Sequence, residues 1–369
     1  MASRTTHPVL DTRALNRATL ARQLLLTRAE MSALDAVGYL LGLQAQNVKP
    51  PYFQLHARLA GFRPTELAGL MESREAVRIV TMRSTIHTHT AYDALTLRPL
   101  VQPARDREVA YFRTGLVGVD LDALAARSRE FVEAEPRTMG EIRAELLTHW
   151  PDADPQSLAV AARCLLPLVQ VTPRGVWGRS GQVRLTTVES WLGKPAAPAQ
   201  PVDEAVRRYL AAFGPASVKD MQLWAGQTRL KPAFERLRPE LAVFQDENGV
   251  ELFDLPDAPR PDPGTPAPPR FLPEFDNLLL SHADRSRVVT PEAKGRTWTG
   301  NQAHRTLLVD GFLAGLWTMD GSAVTVELFR KASATEKKAV TAEAELLVAA
   351  LGEGAGGAAA SVRFGSIHG

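Results

Sequence analysis

Cysteine is nearly absent. Cys164 is the only one in 369 residues, so no disulfide can form within the chain. Its neighbours Leu165 and Leu166 mark it as a core thiol rather than a nucleophile. An excess of either charge is also missing: 43 Lys and Arg face 41 Asp and Glu, a formal net charge of +2. The whole-molecule field is therefore weak, and a polyanion must be met by a local concentration of basic side chains. No apolar stretch approaches membrane-spanning length, and Met1 to His7 lack the apolar core of a secretory signal. These absences predict a soluble, cytoplasmic chain. No Walker loop, paired-cysteine motif or nucleophile elbow occurs. Gly352-Glu353-Gly354-Ala355-Gly356-Gly357 matches the dinucleotide glycine pattern, but it follows an expected helix instead of a strand and reads as a linker. Any enzyme here is expected to work without metal, cofactor or a covalent Ser or Cys.

What is present is enough apolar sequence, 45% of residues, for more than one core, and two to four compact units are expected. Pro-rich connectors at Lys194–Pro201 and Pro256–Pro269 mark unit edges. Around them a pattern recurs of a capped helix, a second helix and a β-hairpin. One copy opens at the capping box Thr138-Met139-Gly140-Glu141 and closes with segments near Val169, Val176 and Val183. Another opens at Ser217-Val218-Lys219-Asp220 and ends in a hairpin turning at Asp246-Glu247-Asn248-Gly249. An earlier, less regular copy spans 13–100, its hairpin running from Ile79 to His89. Helix-turn-helix plus hairpin is a winged helix, a unit that binds DNA or docks proteins. After the second connector, short strands near Phe271, Asn277–Leu280, Arg287–Val289, Leu307, Leu313 and Val324, with one helix from Thr335 to Leu351, predict a small β-barrel or sandwich. The expected fold is α+β: three tandem winged-helix motifs with helical scaffolding and a C-terminal β-barrel, over 1–112, 113–193, 202–256 and 270–369.

Basic residues cluster twice. Residues 1–63 carry eight Arg and Lys against three acids, 8 − 3 = +5, and residues 281–305 carry five against two, 5 − 2 = +3. A solvated basic face is the ordinary reading of both. The first hairpin offers Arg83, Ser84, Thr85 and His87, suited to phosphate oxygens, and the second cluster offers His282, Arg285 and Arg287. His87 and His89 share a strand face but lack a neighbouring acid or cysteine, so no metal site is expected. Met31, Leu34, Val37, Leu40 and Leu41 recur at helical spacing behind Ser32 and Asp35, which predicts a helix stopped by Asn47 and Pro50-Pro51. Gln44-Ala45-Gln46 falls at its end, where two amides separated by one residue can meet one ligand.

Leu43-Gln44-Ala45-Gln46-Asn47, Arg83-Ser84-Thr85-Ile86-His87, the run from Phe275 to Arg287 and Val309-Asp310-Gly311 together resemble the AlkZ-like winged-helix DNA glycosylases. The resemblance implies a C-shaped monomeric clamp on double-stranded DNA that excises N7-alkylated guanine. The branch with a Gln-apolar-Gln motif is associated with unhooking interstrand crosslinks, including self-resistance to DNA-alkylating antibiotics. It makes Gln44 and Gln46 the catalytic candidates, with Asn47, Arg83, Ser84, Thr85, His87, His282, Arg285 and Arg287 as candidate DNA contacts. An amide cannot act as a general base. A cationic N7-alkylguanine does not need one, because its glycosidic bond is already weakened and the base leaves neutral. From the residues alone, a winged-helix transcription regulator and a non-catalytic damage-binding protein stay open.

Overall fold

The computed structural model describes residues 7–352 and 359–367; the Glu353–Gly357 part of the glycine run lies outside them. The chain opens with β1 (Val9–Leu10) and α1 (Thr12–Arg22), which starts where the Asp11 side chain accepts from Ala14 N. Ser32 caps α2 (Ala33–Tyr39) by accepting from Asp35 N, as the sequence predicts. The helix then stops well before the glutamines. Leu41 and Gly42 turn the chain at φ of 56° and 90°, and it leaves as β2 (Leu43–Gln44). This corrects the expectation of a helix end: the glutamines sit on a short strand and the bend after it. Nor do Pro50 and Pro51 stop a helix. They open α3 (Pro50–Arg58), at the turn where a missing N–H costs nothing.

The first unit continues through α4 (Pro64–Glu72), β3 (Ala76–Val80), β4 (Ile86–Thr90), α5 (Ala91–Leu100) and α6 (Gln102–Tyr111). Next come α7 (Leu121–Ala134), α8 (Met139–His149) behind the predicted Thr138/Glu141 capping box, α9 (Pro155–Leu165), β5 (Leu168–Gln170), β6 (Leu185–Thr187) and α10 (Val188–Leu192). The two hairpins fuse into one five-stranded sheet, β2-β4-β3-β5-β6, through Arg78 opposite Gln170 and Ile79 opposite Val169. The β3–β4 hairpin is thus interior to a sheet, not a free wing. Ala76, Val77, Arg78 and Ile79 are all buried, as befits a strand covered on both faces. Val176-Trp177-Gly178 forms no strand; it lies in the loop between β5 and β6, where Trp177 packs on Tyr52 at 4.8 Å.

The third unit has α11 (Val202–Phe213), α12 (Val218–Ala225) with the predicted Ser217/Asp220 capping box, α13 (Lys231–Leu237), β7 (Ala242–Asp246) and β8 (Glu251–Asp254). Gly249, at φ 76°, completes the predicted turn. β1 adds to this hairpin in parallel with β7, and Arg22 forms a fully buried pair with Asp254. Residues 9–22 therefore pack with the third unit although they precede the first.

The last unit comprises β9 (Arg270–Leu272), β10 (Trp298–Thr299), β11 (Gln302–Ala303), β12 (Thr306–Val309), β13 (Phe312–Asp320), β14 (Ala323–Leu328), α14 (Ala334–Leu351) and β15 (Ser361–Phe364). Its sheet runs β15-β14-β13-β12-β9, and β15 does not pair with β9, so it is open where a barrel was expected. Closure needs long, staggered strands, whereas β9 has three residues. Asn277–Leu279 is a short 3-10 helix and Arg287 and Val288 lie in a turn, so neither segment is a strand. Trp317 anchors the core: Nε1 donates to Leu272 O and Thr306 O, and its ring meets Phe271 at 5.4 Å and Phe53 of α3 at 5.7 Å. The first and last units thus share apolar packing around α3. The whole is an α+β fold, and no helix among the described residues is long and apolar enough to cross a membrane.

Most of the basic side chains of residues 1–63 are held in ion pairs. Arg13 and Arg17 pair with Asp310, Arg22 with Asp254, Arg28 with Glu343 and Arg58 with Asp276. Arg17, Arg22 and Arg58 have no exposed surface. The expected solvated face is instead largely a set of ion pairs to later units, and in the Arg22–Asp254 and Arg58–Asp276 pairs losing one partner would leave a buried charge.

Candidate active site

Residues 42–47 run along the edge of the fused sheet. Leu43 and Gln44 pair with Thr88 and His87, and Ala45 N donates to Ile86 O at 2.7 Å. The turn at Gly42 has no room for a side chain: a Cβ there would stand 2.3 Å from the His89 ring. The other side is held from the C-terminal unit. Asn277 Nδ2 donates to Gly42 O at 2.7 Å, and its Oδ1 accepts from Gln44 N at 3.4 Å. Gln54 Nε2 donates to Gln44 O at 2.9 Å. Arg78 reaches up from β3, Nη2 donating to Ala45 O at 2.7 Å and Nη1 to Asn47 O at 3.4 Å. Asn47 Nδ2 donates to Glu274, whose other oxygen accepts from Arg305.

The two glutamines differ within this frame. Gln44 is buried, and its Oε1 accepts from Arg83 Nη2 at 2.7 Å. Gln46 is exposed, and its side chain forms no hydrogen bond with the described residues. Main-chain bonds to both sides of Gln46 fix its backbone while its amide stays open to solvent. Gln46 and Ser84 line a cleft of about 250 Å³ walled by Ile86, Leu168, Val183 and Leu185. Ala45 is wholly buried, so the central residue of the motif is a packing position.

The predicted DNA contacts divide. Ser84 and Arg285 are exposed, and so is Asn47 beside its Glu274 contact. Thr85 donates from Oγ1 to Met82 O. Arg83 is half-buried, with Nη1 on Trp224 O and Nη2 on Gln44, and burial pulls its pKa down to about 10. His87, His282 and Arg287 are corrected by burial. His87 packs on His89, with Nδ1 on Thr85 O, and burial followed by the neighbouring Arg83 charge holds it well below the usual range, hence neutral. His282 donates from Nε2 to Phe213 O and is pulled down to about 4 by burial, then by Arg287. Arg287 donates to Pro215 O and Thr19 Oγ1. The 281–287 run packs behind α11 and α12, where Tyr209 donates to Ser281 O and Asp220 accepts from Ala283 N. No cluster of three or more metal-ligating side chains occurs among the described residues.

Sequence reasoning missed Arg78, Glu274 and Asn277, which reach the loop from other strands and units. For Arg78 and Glu274 the only signal was polarity inside apolar or turn-rich segments, whereas Asn277 lies in the Phe275–Arg287 run without a role that the sequence assigns.

The site is thus a strand-edge amide pair braced from other parts of the chain. Residues 37–350 match the model of the family described as DNA glycosylase AlkZ-like, and the chain belongs to that family. Among solved structures, the Streptomyces sahachiroi DNA glycosylase AlkZ superposes with a TM-score of 0.80 at 20% identity, covering 97% of this chain and 100% of that one, a likeness of fold. No curated protein sequence matches.

Proposed function

We propose that this protein is a monofunctional DNA glycosylase that hydrolyses the glycosidic bond of N7-alkylated guanine and unhooks interstrand crosslinks made at that atom. It acts as a monomer, with its helix-plus-hairpin units, two of them fused through one sheet, forming an open clamp on the duplex. The observation that carries the reading is the asymmetry of the pair: Gln46 open and unbonded, Gln44 fixed.

A water donating one hydrogen to Gln46 Oε1 presents its lone pair to C1′ of the damaged nucleotide. The C1′–N9 bond breaks, its electron pair neutralises the cationic base, and the new C1′–O bond forms. The water's second proton passes to solvent. Positioning and electrostatics of this kind supply several kcal/mol without a general base. Gln44, its oxygen occupied, offers Nε2 to the sugar-phosphate or base edge. Exposed Ser84 and Arg285, with Asn47, meet the backbone. A crosslinked base stays tethered to the other strand and cannot be withdrawn into a deep pocket, which suits an exposed amide.

The test is incubation of the purified chain, without added metal or cofactor, with duplexes carrying N7-methylguanine or an N7 crosslink. Alkali-labile abasic sites and separated strands are expected. Tight sequence-specific binding of undamaged DNA with no base release would instead favour a regulator.

A further inference from the structure

We infer that Arg83 is not a phosphate contact but the positioning residue of Gln44, fixing its amide with the NH2 group toward the substrate and tying it to the end of α12. The inference rests on the glycosylase reading for its consequence, though not for its geometry.

Three acceptors surround the Arg83 guanidinium. Nη1 donates to Trp224 O and Nη2 to Gln44 Oε1, each at 2.7 Å, and Nη2 lies 3.4 Å from His87 Nε2. The Thr85 carbonyl beside His87 Nδ1 can only accept, so Nδ1 carries the ring proton and Nε2 is left as an acceptor. No carboxylate among the described residues pairs with Arg83, so its charge acts on these three dipoles. A cation on Gln44 Oε1 settles the orientation of that amide: the oxygen faces inward and Nε2 is left as donor. It also polarises the amide and strengthens that donor. The roles of the two glutamines are thereby no longer interchangeable.

The backbone supports the same arrangement. Arg83 has φ 53°, and Gly226, the left-handed C-cap of α12, packs so closely that a Cβ would lie 3.0 Å from Arg83 N. The turn between β3 and β4 is thus clasped against the helix end whose carbonyl Arg83 holds. Arg83 thereby links the third unit directly to the Gln44 side chain.

The experiment compares Arg83→Met and Arg83→Lys with wild type in three readouts: single-turnover excision of N7-methylguanine, duplex affinity over a series of salt concentrations, and the Gln44 side-chain NH2 signals in a glutamine-labelled NMR sample. We expect Arg83→Met to slow excision roughly 10- to 100-fold with affinity and salt slope unchanged, and Arg83→Lys to restore part of the rate. The Gln44 signals should shift in Arg83→Met, and Arg83→Met with Gln44→Ala should be no slower than Gln44→Ala alone. A salt slope lower by about one, with an unchanged rate at saturation, would make Arg83 a phosphate contact and overturn the inference. Unmoved Gln44 signals would also overturn it. Those signals are read whether or not wild type excises, so failure of the glycosylase reading is seen separately.

Discussion

Asn277 and Gln44 lie 233 positions apart and meet as side chain to backbone: the Asn277 amide takes the Gln44 N–H and gives its own hydrogen to Gly42 O. One side chain of the C-terminal unit thus holds both ends of the strand that carries the buried glutamine. Replacing it with alanine leaves two buried backbone groups unpaired, at about 1–3 kcal/mol each before relaxation. Asn277→Ala should lower the thermal midpoint and slow excision more than it weakens DNA binding. Paired calorimetry and single-turnover assays check both.

Gly42 has the second fixed role. With φ at 90° and the His89 ring where a Cβ would stand, Gly42→Ala forces either the turn or the ring to move. A loss of at least about 2 kcal/mol in denaturant unfolding is expected. A variant as stable as wild type would show that the turn has another conformation.

The chemistry has its own pH signature. Neither glutamine titrates, and His87, the imidazole nearest to them, is held neutral by burial and by Arg83. Excision of a pre-charged base should therefore be flat between about pH 6 and pH 9, where a general base would impose a limb. A rate that rises with pH through a single titration would contradict the amide mechanism.

Stability should behave differently. Burial pulls His56 down to about 3 and His89 to about 4, while His282 reaches about 4 through burial and Arg287. Each is neutral in the fold and would titrate near 6.5 unfolded, so below that pH the unfolded chain binds more protons. Their contribution is full above about pH 6.5 and is lost as pH falls toward 4, by at most about 1.4 kcal/mol per unit for each group. Thermal midpoints recorded from pH 7 to pH 4.5 should fall steadily, and a level series would show that these rings are hydrated.

Local chemistry was legible in the sequence and long-range chemistry was not. The Ser32, Thr138 and Ser217 caps, the Gly249 turn and the helix of residues 334–351 follow from spacing and turn residues. The glutamine helix failed because Leu40 and Leu41 fit a helical stripe equally well as core residues of the turn that ends it. The barrel failed because short strands do not announce whether their edges close. Charge misled most. Arg17, Arg22, Arg58 and Arg287 counted toward basic patches in the sequence, and in the fold each is itself buried and engaged by a partner within the chain. The glutamine pair stood out by its place at a chain break and took its catalytic role from the resemblance, but its division into a fixed and a free amide depends on Arg83, which only the folded chain brings beside Gln44.

The proposed chemistry turns on Gln46. Single-turnover excision and duplex affinity measured for Gln46→Ala on N7-methylguanine DNA should give a rate at least about 100-fold lower, with affinity within a factor of two of wild type. Excision that persists at the wild-type rate, or that falls only in step with affinity, would contradict the assignment of this open amide to the attacking water.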